Sequence, residues 1–241
     1  MTEKSWAEEK MLDIEYNLKT IREEIARAAA LAGRSEQDVD FMAVTKTVDE
    51  RFINHAIACG INLIGENKVQ EMLRKKPNLH LAGVRKNLIG HLQSNKAGQI
   101  VGEVDMIESV DSLKIAREIG KQSVKKGIVS DVLVEINIGK EESKTGFMPE
   151  AAEESIAQMA EIEGLHICGL MTIPPICDKT TELCKFFTNI YNMYVDIGSK
   201  KLDNVSMNVL SMGMSGDYAE AIRAGSNHIR VGSKIFGPRI Y

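Results

Sequence analysis

At 241 residues, with 44% apolar and 27% charged content, the chain has the profile of one ordinary globular domain. A formal charge of −4 excludes the overall basic field that gathers nucleic acid or anionic lipid. No apolar run reaches the roughly 18 residues of a membrane span, and the opening MTEKSWAEEK is too charged for a secretory signal, so a cytoplasmic protein with no membrane partner is expected.

In chain order, residues 4 to 32 come first, with Leu12, Ile14, Leu18, Ile21 and Ile25 at helical spacing and Gly33 as a stop signal. They predict a long N-terminal helix within residues 1–35. From residue 39 onward short apolar runs alternate with amphipathic stretches. The runs are VDFMAVT (39 to 45), INLIG (61 to 65), NLIGH (87 to 91), VDMIESV (104 to 110), DVLVEINI (131 to 138), LHICGLM (165 to 171), SMNVLSMG (206 to 213) and HIRVG (228 to 232). Helical candidates lie between them at 50–59, 67–76, 93–101, 112–127, 149–163, 179–200 and 216–224. Eight such units are what a (β/α)8 barrel of the TIM type needs, whereas an open doubly wound sheet would show fewer strands and a GxGxxG after the first. The expected architecture is a single barrel domain over 39–239 with an extra N-terminal helix.

Cys59, Cys168, Cys177 and Cys184 form no CxxC pair and have no histidine at zinc-like spacing, so no metal site is expected.

In such a barrel the chemistry sits at the C-terminal ends of the strands. Lys46 ends the first run. Read blandly it is a snorkelling surface side chain. Read chemically it is an amine with an unperturbed pKa of about 10.4, which desolvation at a barrel mouth would lower toward a Schiff-base nucleophile. The last two runs are followed by SMGMSGD and IRVGSKIFG, in which Ser211, Gly213, Ser215 and Gly216, then Gly232 and Ser233, offer backbone amides and hydroxyls to an anion. Gly and Ser also fill ordinary turns, but barrels of this class commonly hold phosphate after strands seven and eight. Closure of strand eight onto strand one would make Lys46 a neighbour of both loops. An amine beside an anion pocket suits a phosphorylated aldehyde, of which pyridoxal 5′-phosphate (PLP) is the commonest cofactor.

Other polar ends surround that point. Asn67 ends run two, as a ring-side contact or as a helix N-cap. His91, Gln93, Ser94, Asn95 and Lys96 follow run three, with Ser94 a candidate cap, while Met171, a candidate cofactor contact, and Thr172 end run six near the expected mouth. KEESKTGF, 140 to 147, is a polar lid or a solvated turn. Arg230 sits inside run eight, where an unpaired charge would be costly, so it must reach a partner at the mouth or in the barrel. If that partner is a pyridine nitrogen, the guanidinium can only donate and the nitrogen stays unprotonated.

AVTKTVD, GENKVQE, LIGHLQSNK, VLVEINIGKEESKTGF, GLMTIPP, LSMGMSGD and IRVGSKIFG together resemble the pyridoxal-phosphate homeostasis proteins, relatives of the alanine racemase N-terminal domain. The resemblance implies PLP held as a Schiff base on Lys46, with Asn67 a ring contact, Ser211, Ser215, Gly232 and Ser233 the phosphate cradle, and Arg230 the ring-nitrogen partner. It also implies a cytoplasmic role in intracellular vitamin B6 homeostasis. Two departures stand out: Lys86, Asn87 and Leu88 replace the family's usual Trp-His-Phe, and position 68 is Lys where many relatives have Tyr.

Racemisation on PLP needs bases on both faces of the substrate. In the racemases the opposing tyrosine comes from a second domain, for which a sequence ending at Tyr241 leaves no room. The expectation is a PLP carrier without robust racemase activity, monomeric for lack of a heptad seam, with PLP-dependent apoenzymes as recipients. The alternatives are a small PLP-dependent racemase or other Schiff-base lyase, and a PLP-free lysine aldolase.

Overall fold

The computed structural model describes residues 3–177 and 179–238. The expected last barrel residue, Arg239, and Tyr241 lie outside the described residues.

The chain begins with α1 (Glu3–Leu31), followed by β1 (Asp40–Val44), α2 (Glu50–Ala58), β2 (Leu63–Glu66), α3 (Val69–Lys75), β3 (Arg85–Leu88) and α4 (Ala97–Ile100). It continues through β4 (Met106–Val110), α5 (Leu113–Lys126), β5 (Ser130–Ile136), α6 (Ala152–Ala160), β6 (Leu165–Thr172) and α7 (Thr180–Ser199). The last elements are β7 (Val205–Met214), α8 (Tyr218–Arg223), β8 (His228–Val231) and α9 (Ser233–Phe236). The strands pair in sequence order and close, β8 lying parallel to β1 with Asp40 opposite His228 and Ala43 opposite Val231. This is the TIM-type (β/α)8 barrel.

Alternation along each strand divides the core in two. Outward residues such as Val132, Val134 and Ile136 pack under the helices, whereas Met42 and Leu63, or Leu133, Cys168 and Met171, fill the interior. Gly65 is small because a side chain there would place its Cβ 2.3 Å from Met42 Sδ.

Three elements depart from the apolar pattern for identifiable reasons. β3 starts at Arg85, two residues before the predicted run, because its polar first residues are ion-paired at the rim: Arg85 with Asp40 at 2.5 Å and Lys86 with Asp105 at 2.7 Å. The 93–101 stretch is a 3₁₀ turn over Ser94–Lys96 followed by the four-residue α4, and Ser94 caps no helix. On α1, Ile14, Leu18, Ile21 and Ile25 are buried, but Leu12 is 65% exposed, since a two-residue step from Ile14 places it on another face. The buried stripe packs against Phe52, Tyr218, Ile222 and Ile235 of the barrel's own helices.

α5 ends on Gly127 in the left-handed region, φ 67°, where an added Cβ would meet nothing within 4 Å. Gly127→Ala therefore isolates backbone strain from packing. It is expected to lower stability by about 1 kcal/mol in urea unfolding.

Candidate functional site

β1 makes its last contact with β2 through Thr45, whose N–H donates to Gly65 O at 2.9 Å. The chain then turns, Val48 N–H donating back to Thr45 O at 3.0 Å, with Thr47 at φ 62°. Lys46 sits in this turn, half-buried, and lines a hollow of about 220 Å³. Gly232 and Ser233 line the same hollow, with Trp6 and Lys10 of α1 as its outer wall. The β1–β8 register explains the meeting, since Ala43 is level with Val231 and both chains leave the barrel side by side. Gly232 packs so closely that a Cβ would lie 3.3 Å from both Val44 Cβ and Val44 O.

Ser215 joins the group from the β7 loop. Its Oγ accepts from the N–H groups of Gly232 at 3.2 Å and Lys234 at 3.4 Å. Gly213, at φ 97°, makes the approach possible, because a Cβ there would come within 2.6 Å of Ala221 Cβ. Lys46, Ser215, Gly232 and Ser233 are thus brought together: an amine beside main-chain amides and a hydroxyl.

Arg230 lies inward of that group. It is 4% exposed, its Nη1 donating to Ser211 O at 2.9 Å and its Nη2 to Thr172 O at 2.9 Å. The partner demanded by its place in a strand is therefore present. Ser211 stands apart from the Lys46 hollow: its fully buried hydroxyl donates to Glu108 Oε2 at 2.7 Å and accepts from Arg230. Met171, 1% exposed, packs in the barrel interior with Leu133 and Cys168 rather than lining either hollow at the mouth.

The interior also holds two charged residues that were not among the expected site residues, Glu108 and His228. Glu108, fully buried on β4, accepts from Asn87 Nδ2 at 2.7 Å and lies 3.0 Å from His228 Nε2. His228 Nδ1 is 3.7 Å from Asp40. Burial alone would raise the Glu108 carboxyl, but the charges of His228 and Arg230, with the Ser211 hydroxyl, hold it at about 2. Burial likewise opposes charge on His228, yet Glu108 and Asp40 push the imidazole up to about 9. Burial lowers Arg230, against the carboxylates of Glu108, Glu135 and Asp217, and a guanidinium stays protonated regardless. The signal existed in the sequence, for Glu108 interrupts MIESV as Arg230 interrupts HIRV.

The signs of these shifts set a pH window. His228, raised from 6.5, contributes stability that is complete below pH 6.5 and lost as pH rises through about 9. Glu108, lowered from 4.5, contributes stability that is complete above pH 4.5 and lost as pH falls toward about 2. Urea unfolding of the wild type should therefore weaken between pH 6.5 and 9. His228→Gln should flatten that slope, and an unchanged slope would show that the imidazole is not the titrating group.

Across the mouth, Asn67 lines a second hollow with His91, Glu135, Lys144 and Thr145. It does not cap α3, whose N-cap position is Lys68 without a side-chain bond. Gly90 is required beneath it, since a Cβ would lie 2.2 Å from Asn67 O. His91 Nδ1 is 2.6 Å from Asp111 Oδ2, which holds the ring at this rim. The 140–147 loop is tied down by Asn137, whose Nδ2 donates to Glu141 O at 2.8 Å, and by Lys144, whose Nζ donates to Pro174 O at 3.3 Å.

At the opposite barrel end, Asp131, His166 and Cys168 converge. Burial and Asp131 push the Cys168 thiol up to about 12, so it stays protonated, and His166 is engaged by Asp131 at 2.8 Å and Ser206 at 3.0 Å.

Comparison with known proteins gives this arrangement its class. The family model for the alanine racemase N-terminal domain matches residues 16–239. An alanine racemase from Clostridium difficile shares the fold with a TM-score of 0.74 at 15% identity, over 95% of this chain and 60% of the racemase. Barrel and site together define a member of the alanine racemase N-terminal-domain class. Within it, the Aquifex aeolicus "Pyridoxal phosphate homeostasis protein" is 36% identical over 224 residues, 93% of this chain and 97% of that protein. The structure of PipY from Synechococcus elongatus with PLP bound has a TM-score of 0.77 at 30% identity, covering 88% of this chain and all of PipY. The chain belongs to the pyridoxal phosphate homeostasis protein family.

Proposed function

We propose that this protein binds PLP as a Schiff base on Lys46 and serves intracellular vitamin B6 homeostasis as a carrier rather than a racemase. The observation that carries the reading is the shared hollow: Lys46 opens into the same cavity as Gly232 and Ser233, with Ser215 holding the adjoining amides. The fit is specific. Gly232 leaves its backbone open to close approach, because a Cβ would crowd Val44, and the main-chain amides beside it suit a phosphate. The PLP-bound structure of PipY supports the same cofactor here.

When bound, PLP supplies an electron sink. Lys46 would supply the amine, while Ser215, Gly232 and Ser233 would hold the phosphate. Arg230 would face the ring nitrogen, and because a guanidinium can only donate, a nitrogen paired with it would stay unprotonated and the sink would be weak. Asn67, across the mouth, would contact the ring from the second hollow. Ser211 would act indirectly, by holding Arg230, and Met171 by filling the barrel interior. A weak sink favours storage and delivery over carbanion chemistry.

The chain spans 97% of the Aquifex homeostasis protein and 60% of the racemase. The apolar stripe of α1 is consumed on the barrel, which supports a monomer. A cytoplasmic setting fits the charge balance, and among the described residues no helix is long and apolar enough to cross a membrane. The recipients are PLP-dependent apoenzymes.

The loaded protein should restore activity to such an apoenzyme, with alanine racemisation far below an ordinary turnover of about 1 s⁻¹. Racemisation at that rate or above would replace the carrier reading with that of a small racemase.

A further inference from the structure

Lys75 ends α3 and is 1% exposed, a depth that an ammonium rarely reaches without full compensation. Its three donors each meet an oxygen. Nζ donates to Thr45 O at 2.7 Å and Glu66 Oε1 at 2.7 Å, and lies 2.7 Å from Glu71 Oε1. Those carboxylates reach the same turn from other sides: Glu71 Oε1 accepts from Thr47 N–H at 2.6 Å, and Glu66 Oε1 accepts from Thr45 Oγ1 at 2.8 Å. Thr45 O belongs to the peptide that enters Lys46, and Thr47 N–H to the peptide that leaves it. The two peptide groups flanking Lys46 are therefore both tied to one buried ion cluster. Thr47 is also held at φ 62°, a conformation that a threonine adopts only under constraint.

We propose that Lys75, with Glu71, is a positioning residue that locks the main chain on both sides of Lys46 and so aims its amine at the anion-holding loops. The inference deepens the reading of Lys46 as the PLP-bearing residue and rests on it. An ammonium suits the task where a guanidinium would not, because three acceptors converge on one point rather than on a planar fork. No proton changes hands in this role. The cluster lowers the orientational cost of bringing the amine to the aldehyde, which is the part of a reaction that placement controls.

The test compares PLP with pyridoxine 5′-phosphate, which keeps ring and phosphate but lacks the aldehyde. Lys75→Met should form the visible Schiff-base band at least about tenfold more slowly with PLP while binding pyridoxine 5′-phosphate as the wild type does. Glu71→Ala, at a partly exposed position, removes the Thr47 anchor and one of the three oxygens around Lys75 while leaving Glu66 and Thr45 O in place, and decides the matter by the same two measurements if Lys75→Met does not fold. Equal losses for both ligands would make the cluster merely structural and overturn the proposal, as would an unchanged rate of band formation. A wild type that forms no band with PLP would instead overturn the Lys46 reading, and with it the clamp.

Discussion

Lys46→Ala is expected to abolish the visible band that PLP gives with the wild type, and to weaken PLP binding by at least about tenfold, or 1.4 kcal/mol. Removing the side chain beyond Cβ deletes the amine but touches none of the atoms proposed to hold the phosphate. The Ser215 contacts to the Gly232 and Lys234 amides involve no atom of residue 46. Residual binding should thus persist without colour, and should resemble that of pyridoxine 5′-phosphate to the wild type. Lys10 is the informative control, because it lines the same hollow yet holds its ammonium 4.8 Å from the Phe52 ring centroid and 5.3 Å from that of Trp6. A band that survives Lys46→Ala and disappears in Lys10→Ala would move the Schiff base to α1.

Glu108→Gln is expected to cost about 3–5 kcal/mol of stability, the largest loss anticipated from a near-isosteric change in this barrel. The amide can still accept from Asn87 or Ser211, so the penalty is electrostatic rather than steric. Glu108 is fully buried between two cationic groups, His228 with its nitrogen 3.0 Å away and Arg230 reached through Ser211. Neutralising it leaves both charges in the interior with less compensation, and His228 should respond by losing its proton at lower pH. Urea unfolding near pH 6 gives the stability change, and the His228 ring resonances followed against pH give the second. A cost under about 1 kcal/mol, with the His228 titration unmoved, would mean that the interior charges are solvated.

Pattern made the barrel legible, and chemistry was legible only where it interrupted pattern. Eight apolar runs gave eight strands because parallel strands covered by helices are apolar on both faces. Lys46 and Arg230 were visible as charges ending or breaking such runs. Glu108 and His228 broke runs in the same way, but their importance depends on facing one another across the interior, a pairing between residues far apart in sequence. Lys75 was hidden for a different reason. It ends an amphipathic helix among Arg74 and Lys76, where a lysine ordinarily reaches solvent, and only the fold turns it inward toward Thr45. Ser211 and Ser215 could not be told apart in LSMGMS, since the direction of each hydroxyl depends on how β7 meets β8, where the register shifts between Ser211 and Met214. The β3 boundary and the short α4 were misplaced because ion pairs and 3₁₀ turns leave no apolar period.

The most direct measurement is a crystal structure of the protein grown with PLP. The aldehyde carbon should be joined to Lys46 Nζ, with the phosphate contacted by the Ser215, Gly232 and Ser233 loops and the ring nitrogen facing Arg230. Phosphate density at any other rim of the barrel, or cofactor carried on another lysine, would contradict the account.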